Sequence, residues 1–188
     1  NRKKIMVALE TPICDFGWKA PEFKLLGVDQ NYYSFNDIRG SKGTLVMFIC
    51  NHCPYVKAII TKLVTTTKEL KRIGINSIAI MPNDFIKYPE DNFENMCIFS
   101  KKHKFNFPYL IDESQKVTKD FGAVCTPDFF GYNRKGLLNY RGRISEMNKL
   151  KFVNEKNELL DAMIMISKTN SGPKIQYPSA GCSVKWKN

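Results

Sequence analysis

Thr44-Leu45-Val46-Met47-Phe48-Ile49-Cys50-Asn51-His52-Cys53-Pro54 is the stretch that decides the architecture. From Thr44 to Ile49 it is a continuous run of β-branched and large side chains, as in a strand covered on both faces. From Pro54 onward the period changes. Val56, Ile59, Ile60, Leu63, Val64 and Leu70 recur three and four residues apart, which lays one apolar stripe along a helix that Gly74 ends. Proline fits a first helical turn, because its missing N–H has no partner to lose there. Ile75 to Met81 is a second apolar strand, so residues 44–81 read as a βαβ unit with parallel strands and a right-handed crossover.

The junction carries chemistry. Cys53 immediately precedes the first helical turn, where a thiolate meets unpaired backbone N–H groups and the positive end of the helix dipole. The thiolate is the nucleophilic form, so this placement makes Cys53 the candidate reactive residue, with Lys57 adding positive charge nearby. The plainer alternative is that Cys50 and Cys53 are two buried structural cysteines.

Outward from this unit, Glu22 to Ile38 reads as a β-hairpin turning at residues 27–31, with Tyr33 and Phe35 on its second strand. Phe93 to Lys104 is a helix and Tyr109 to Ile111 a short strand. Ser114 caps a helix that runs to Phe121 and ends at Gly122. Phe129 to Tyr132 and Leu137 to Arg141 form a hairpin, and Leu150 to Ile166 is a closing amphipathic helix. The reading is a three-layer α/β fold: a mixed sheet flanked by helices, with an N-terminal β-hairpin and an irregular C-terminal extension. Residues 1–19 are an N-terminal extension, 20–166 the domain and 167–188 an ordered or semi-ordered tail. In such sheets sites gather at the carboxyl ends of the strands, here residues 50–54, residues 82–88 and the loop before Phe129. Asn83 and Asp84 lie on that edge and are candidates to polarise a substrate or accept a proton; turning the chain is their other reading.

The chain has 188 residues with net charge +11, yet its lysines are spread through every segment, with no basic stripe interleaved with aromatics. A solvated surface is expected rather than a nucleic-acid interface. No apolar run approaches the ~20 residues of a membrane helix. The expected compartment is the cytoplasm, although residue 1 is not Met and a removed export signal stays open. Six cysteines, Cys14, Cys50, Cys53, Cys97, Cys125 and Cys182, are too sparse for a disulfide-stapled scaffold, and Cys14 and Cys97 read as structural.

The hairpin, the Leu-Val-Met-Phe-Ile-Cys-Asn-His-Cys-Pro run, Phe107-Pro108-Tyr109-Leu110-Ile111-Asp112, and Thr126-Pro127 before a strand together resemble the thioredoxin superfamily. More narrowly, they resemble its alkyl hydroperoxide reductase/thiol-specific antioxidant (peroxiredoxin-like) branch, in a subgroup with Cys-Asn-His-Cys-Pro and Gly-Cys-Ser-Val-Lys-Trp-Lys segments. The similarity covers about residues 20–166 plus the tail segment. It implies a thioredoxin-like thiol oxidoreductase that needs no cofactor. Cys53 falls on the nucleophile of both families and Val56 on the second thioredoxin cysteine, so the resolving thiol must come from elsewhere. Cys50 is nearest along the chain, Cys182 lies in the tail, and Cys125 adjoins Thr126-Pro127, which resembles the superfamily's cis-proline substrate loop. The peroxiredoxin arginine has no counterpart in that loop; Arg141 and Arg143 lie on the following strand. The implied partners are a protein or small-molecule disulfide, or a peroxide, as substrate, and a thiol reductant such as a thioredoxin-like protein. A homodimer is among the expected states. Two other classes remain: a zinc module in which Cys50, His52 and Cys53 bind with Cys97, His103 or Cys182, and a redox-inert binding domain.

Overall fold

The structure, a computed structural model, describes residues 8–188; residues 1–7 of the N-terminal extension lie outside the described residues. The chain runs β1 (Ala8–Glu10), β2 (Leu25–Gly27), β3 (Tyr32–Tyr33), α1 (Phe35–Ile38), β4 (Gly43–Phe48), α2 (Pro54–Arg72) and β5 (Ile75–Met81). A 3-10 turn at Pro89–Asp91 leads to α3 (Phe93–Lys102), β6 (Tyr109–Ile111), α4 (Lys116–Phe121), β7 (Cys125–Thr126) and β8 (Asp128–Asn133). β9 (Leu138–Tyr140), β10 (Met147–Asn148), β11 (Lys151–Phe152), α5 (Glu158–Thr169) and β12 (Ala180–Ser183) complete it.

One seven-stranded mixed sheet has the order β3-β2-β6-β5-β4-β8-β9. β4 pairs parallel with β5 and antiparallel with β8. All its residues are buried, so the run lacks polar alternation. Successive residues still point to opposite faces. Leu45, Met47 and Ile49 pack with Ile59 and Leu63 of α2 and Met163 and Ile166 of α5. Val46 and Phe48 pack with Phe35 of α1 and Phe121 of α4. Three layers result, as the sequence predicts.

Four details differ. The N-terminal hairpin pairs Leu25 with Tyr33, but Phe35 starts α1 because Ser34 and Asp37 close a reciprocal capping box. The closing helix begins at Glu158, where the Asn157 side chain accepts the Leu160 N–H. Before it, β10 and β11 form a two-residue hairpin whose turn residues, Lys149 and Leu150, have φ 46 and 63. Gln115, at φ 60, takes the N-cap position of the helix toward Phe121 without a side-chain cap, while the Ser114 hydroxyl accepts the Lys116 N–H at 3.2 Å and the Asp112 carboxylate accepts the Thr118 N–H at 2.7 Å. Finally, the tail is built in: β12 lies between β1 and β7 in a three-stranded sheet. Gly181 makes that possible, since a Cβ there would lie 2.1 Å from the Thr126 carbonyl oxygen.

Candidate active site

Cys53 is the N-cap of α2 with Pro54 in the first turn, and its carbonyl accepts the Lys57 N–H at 3.0 Å. Its Sγ lies 2.8 Å from Cys182 Sγ and 3.2 Å from the Thr126 carbonyl oxygen. Cys182 arrives through β12, whose register sets it opposite Thr126. Cys50 Sγ lies 3.4 Å from Thr126 Oγ1 and 4.0 Å from His52 Nδ1. The Thr126–Pro127 peptide bond is cis.

Hydrogen bonds from Cys182 and then from Cys50 hold the Cys53 thiol well below the usual thiol range, against burial; Thr126 and the Val56 N–H help. The helix start thus contributes, but neighbouring sulfurs contribute more. The contact with Cys53, then burial, pushes Cys182 up. Burial, then the hydrogen bond to Cys53, pushes Cys50 up. One anionic sulfur between two proton-bearing ones is an arrangement for nucleophilic attack followed by thiol capture. All three residues are nearly sealed, at 0% exposure for Cys53, 1% for Cys50 and 2% for Cys182.

The other cysteines stand apart. Cys125 Sγ points to the Pro127 carbonyl at 3.6 Å, and burial followed by Asp128 raises its pKa. Burial pushes the Cys14 thiol up to about 11, although Arg141 opposes it. Cys97 Sγ faces the Val28 carbonyl.

Asn83 is buried, donates to Asp91 at 2.8 Å and accepts the Lys185 N–H at 2.9 Å, so it ties the tail to the sheet edge. Asp84 Oδ1 caps its own turn, accepting the Ile86 and Lys87 N–H groups. Asp91 is the residue that sequence reasoning missed. It reaches His52 Nδ1 at 2.6 Å from a separate turn, and no local motif announces it. Of the further ligands expected for a zinc module, Cys97 is elsewhere and His103 packs on Phe99, while Cys182 does meet Cys53, with the two sulfurs 2.8 Å apart, closer than two sulfurs that share one zinc ion stand. Cys50, His52 and Asp91 have donor atoms within 4.8 Å, yet a 2.6 Å His–Asp contact is a hydrogen bond. Donors that each lie about 2.0–2.3 Å from one zinc ion stand farther apart than that. Arg141 and Arg143 are committed to Asp128 and Glu158, at 2.9 and 2.6 Å.

Comparison with known proteins bears on the family and the fold. Residues 16–147 match the model of the AhpC/TSA family. The protein "Putative peroxiredoxin bcp" of Haemophilus influenzae is 25% identical over 150 residues, covering 80% of this chain and 92% of that one. The crystal structure of an uncharacterized conserved protein from Geobacillus kaustophilus superimposes with a TM-score of 0.90 at 36% identity, covering 97% of each chain. A hypothetical protein from Sinorhizobium meliloti 1021 gives a TM-score of 0.87 at 33% identity, covering 95% of this chain and 97% of that one. With its thioredoxin-like fold and a family match spanning most of its length, the chain belongs to the AhpC/TSA family.

Proposed function

We propose that the protein is a two-cysteine peroxide reductase in which Cys53 is the nucleophile and Cys182 the resolving thiol. The 2.8 Å separation of their sulfurs carries this reading. Family membership supports a thiol-dependent redox role, and the burial of all three sulfurs favours a small oxidant over a bulky disulfide.

The Cys53 thiolate attacks one oxygen of the peroxide, the O–O bond breaks, and the alkoxide or hydroxide leaves and takes a proton. The Cys53 sulfenic acid then meets the Cys182 thiol. A disulfide forms, water leaves, and two equivalents of an external thiol reset the pair.

Peptide mapping after one equivalent of hydrogen peroxide tests this. A Cys53–Cys182 disulfide is expected, and Cys182→Ser should leave a trappable sulfenic acid on Cys53. A Cys50–Cys53 link, or turnover unaffected by Cys182→Ser, would overturn the assignment.

A further inference from the structure

The peroxide step has a requirement that the three sulfurs do not meet. An alkoxide leaves, and it needs an acid beside it in a nearly dry site. Both candidate arginines are bound to carboxylates. One histidine is not used in the same way.

Asp91 is fully buried, and four N–H groups converge on its carboxylate. They are Asn51 N at 2.8 Å, His52 N at 3.3 Å, His52 Nδ1 at 2.6 Å and Asn83 Nδ2 at 2.8 Å. A carboxylate is an acceptor, so Nδ1 is the donor in the short contact, and the tautomer and tilt of the ring are fixed by it. Tyr88 stacks on the ring at 5.9 Å and 7°, which holds its plane. Among the described residues Nε2 has no protein partner. The ring borders an open cleft of about 540 Å³, shared with Lys57, Glu90, Phe99, Lys102 and His103. His52 is next to Cys53 in the chain, and its Nδ1 lies 4.0 Å from Cys50 Sγ.

We propose that His52, oriented by Asp91, is the general acid of this site. Its Nε2–H gives a proton to the alkoxide as the O–O bond breaks, and the cleft returns a proton from solvent. The inference rests on the reading of Cys53 as the nucleophile. Bond by bond, Cys53–S⁻ and R–O–O–H give Cys53–S–OH and RO⁻. RO⁻ and the imidazolium then give ROH and neutral imidazole. The charge environment agrees. The hydrogen bond to Asp91 raises the His52 pKa against burial, and the Asp91, Cys53 and Glu90 charges raise it further. Lys57 and Lys102 are the positive groups across the cleft, while burial and those two lysines lower the His103 pKa and disfavour its charged form.

The experiment is the rate of Cys53 oxidation by hydrogen peroxide in a single turnover, followed across pH. In the wild type the rate should fall as pH rises through the His52 pKa. His52→Gln should lower the neutral-pH rate by about 10²-fold and abolish that alkaline fall. Asp91→Asn, which keeps the volume but removes the negative charge and one of the two acceptor oxygens, should do the same more weakly. Free imidazole, admitted by the cleft, should restore part of the His52→Gln rate, which it would not do for a merely structural loss. An unchanged pH profile in His52→Gln, or no response to imidazole, overturns the assignment of the acid while leaving Cys53 as the nucleophile. A wild type whose Cys53 never oxidises takes both down.

Discussion

Cys53→Ser is expected to lower peroxide turnover on the order of 10⁴-fold or more, because the reaction loses its nucleophile and not merely a contact. A serine hydroxyl is not ionised under the conditions that leave Cys53 as thiolate. The Cys182 and Cys50 donors then have no anion to stabilise, since both act through their hydrogen bonds to Cys53. A peroxide-consumption assay measures the loss. Thiolate absorbance in the ultraviolet supplies the cause: the wild type should show one thiol ionising on the acid side, and Cys53→Ser should erase that step. Cys97→Ser should retain it. Its sulfur lies beside the Val28 carbonyl, away from the cluster. Retention of the acid-side step in Cys53→Ser would mean that another sulfur is the anion.

The largest effect on stability is expected at Arg141. Its guanidinium lies against the fully buried Asp128 carboxylate at 2.9 Å, donates to the Gly122 carbonyl at 2.9 Å and sits 4.3 Å over the Phe130 ring. Burial already pushes Asp128 up to about 6 with the arginine in place. Arg141→Ala removes the partner and leaves an uncompensated buried carboxylate, at a cost of about 3–5 kcal/mol. For a chain of this size that lowers Tm on the order of 10 °C. The pH dependence has a definite sign. A carboxyl whose folded pKa is raised is tolerated when protonated, so the penalty is small near pH 4, close to its unfolded value. It grows as pH rises above about 6, where Asp128 ionises beside Arg141, and is complete only above the still higher folded pKa of the variant. Thermal melts of wild type and variant at acid and neutral pH should therefore diverge as pH increases. Equal differences at both would show that lost packing on Phe130 dominates.

The βαβ core was legible because two buried strands and one amphipathic helix are each written in consecutive residues. Leu150 misled the reading of the last helix. It is an apolar residue just upstream of the helix that carries Leu159 and Met163, but its φ of 63 belongs to a tight turn, and apolar composition does not encode a positive φ. The candidate nucleophile is marked in the sequence too, since a cysteine before a helix start has a local reason to ionise. Its partners are not. Chain distance favours Cys50 beside Cys53, yet pairing of β12 with β7 seats Cys182 in contact across most of the chain. Asp91 was invisible for the same reason. Its meaning comes from His52, 39 residues away along the chain, and from Asn83 just after β5.

The sequence separation of the two close sulfurs has a thermodynamic side. They lie 129 residues apart, so a bond between them would tie the tail to the first third of the chain and close most of the molecule into a ring. Such a staple removes disorder from the unfolded chain, and in the chain-entropy model a loop this long is worth on the order of 4–5 kcal/mol. Oxidation would then do more than withdraw two electrons. It moves the protein into a more heat-resistant state, and each reductive reset returns it to a looser one. Melting temperature becomes a readout of redox state.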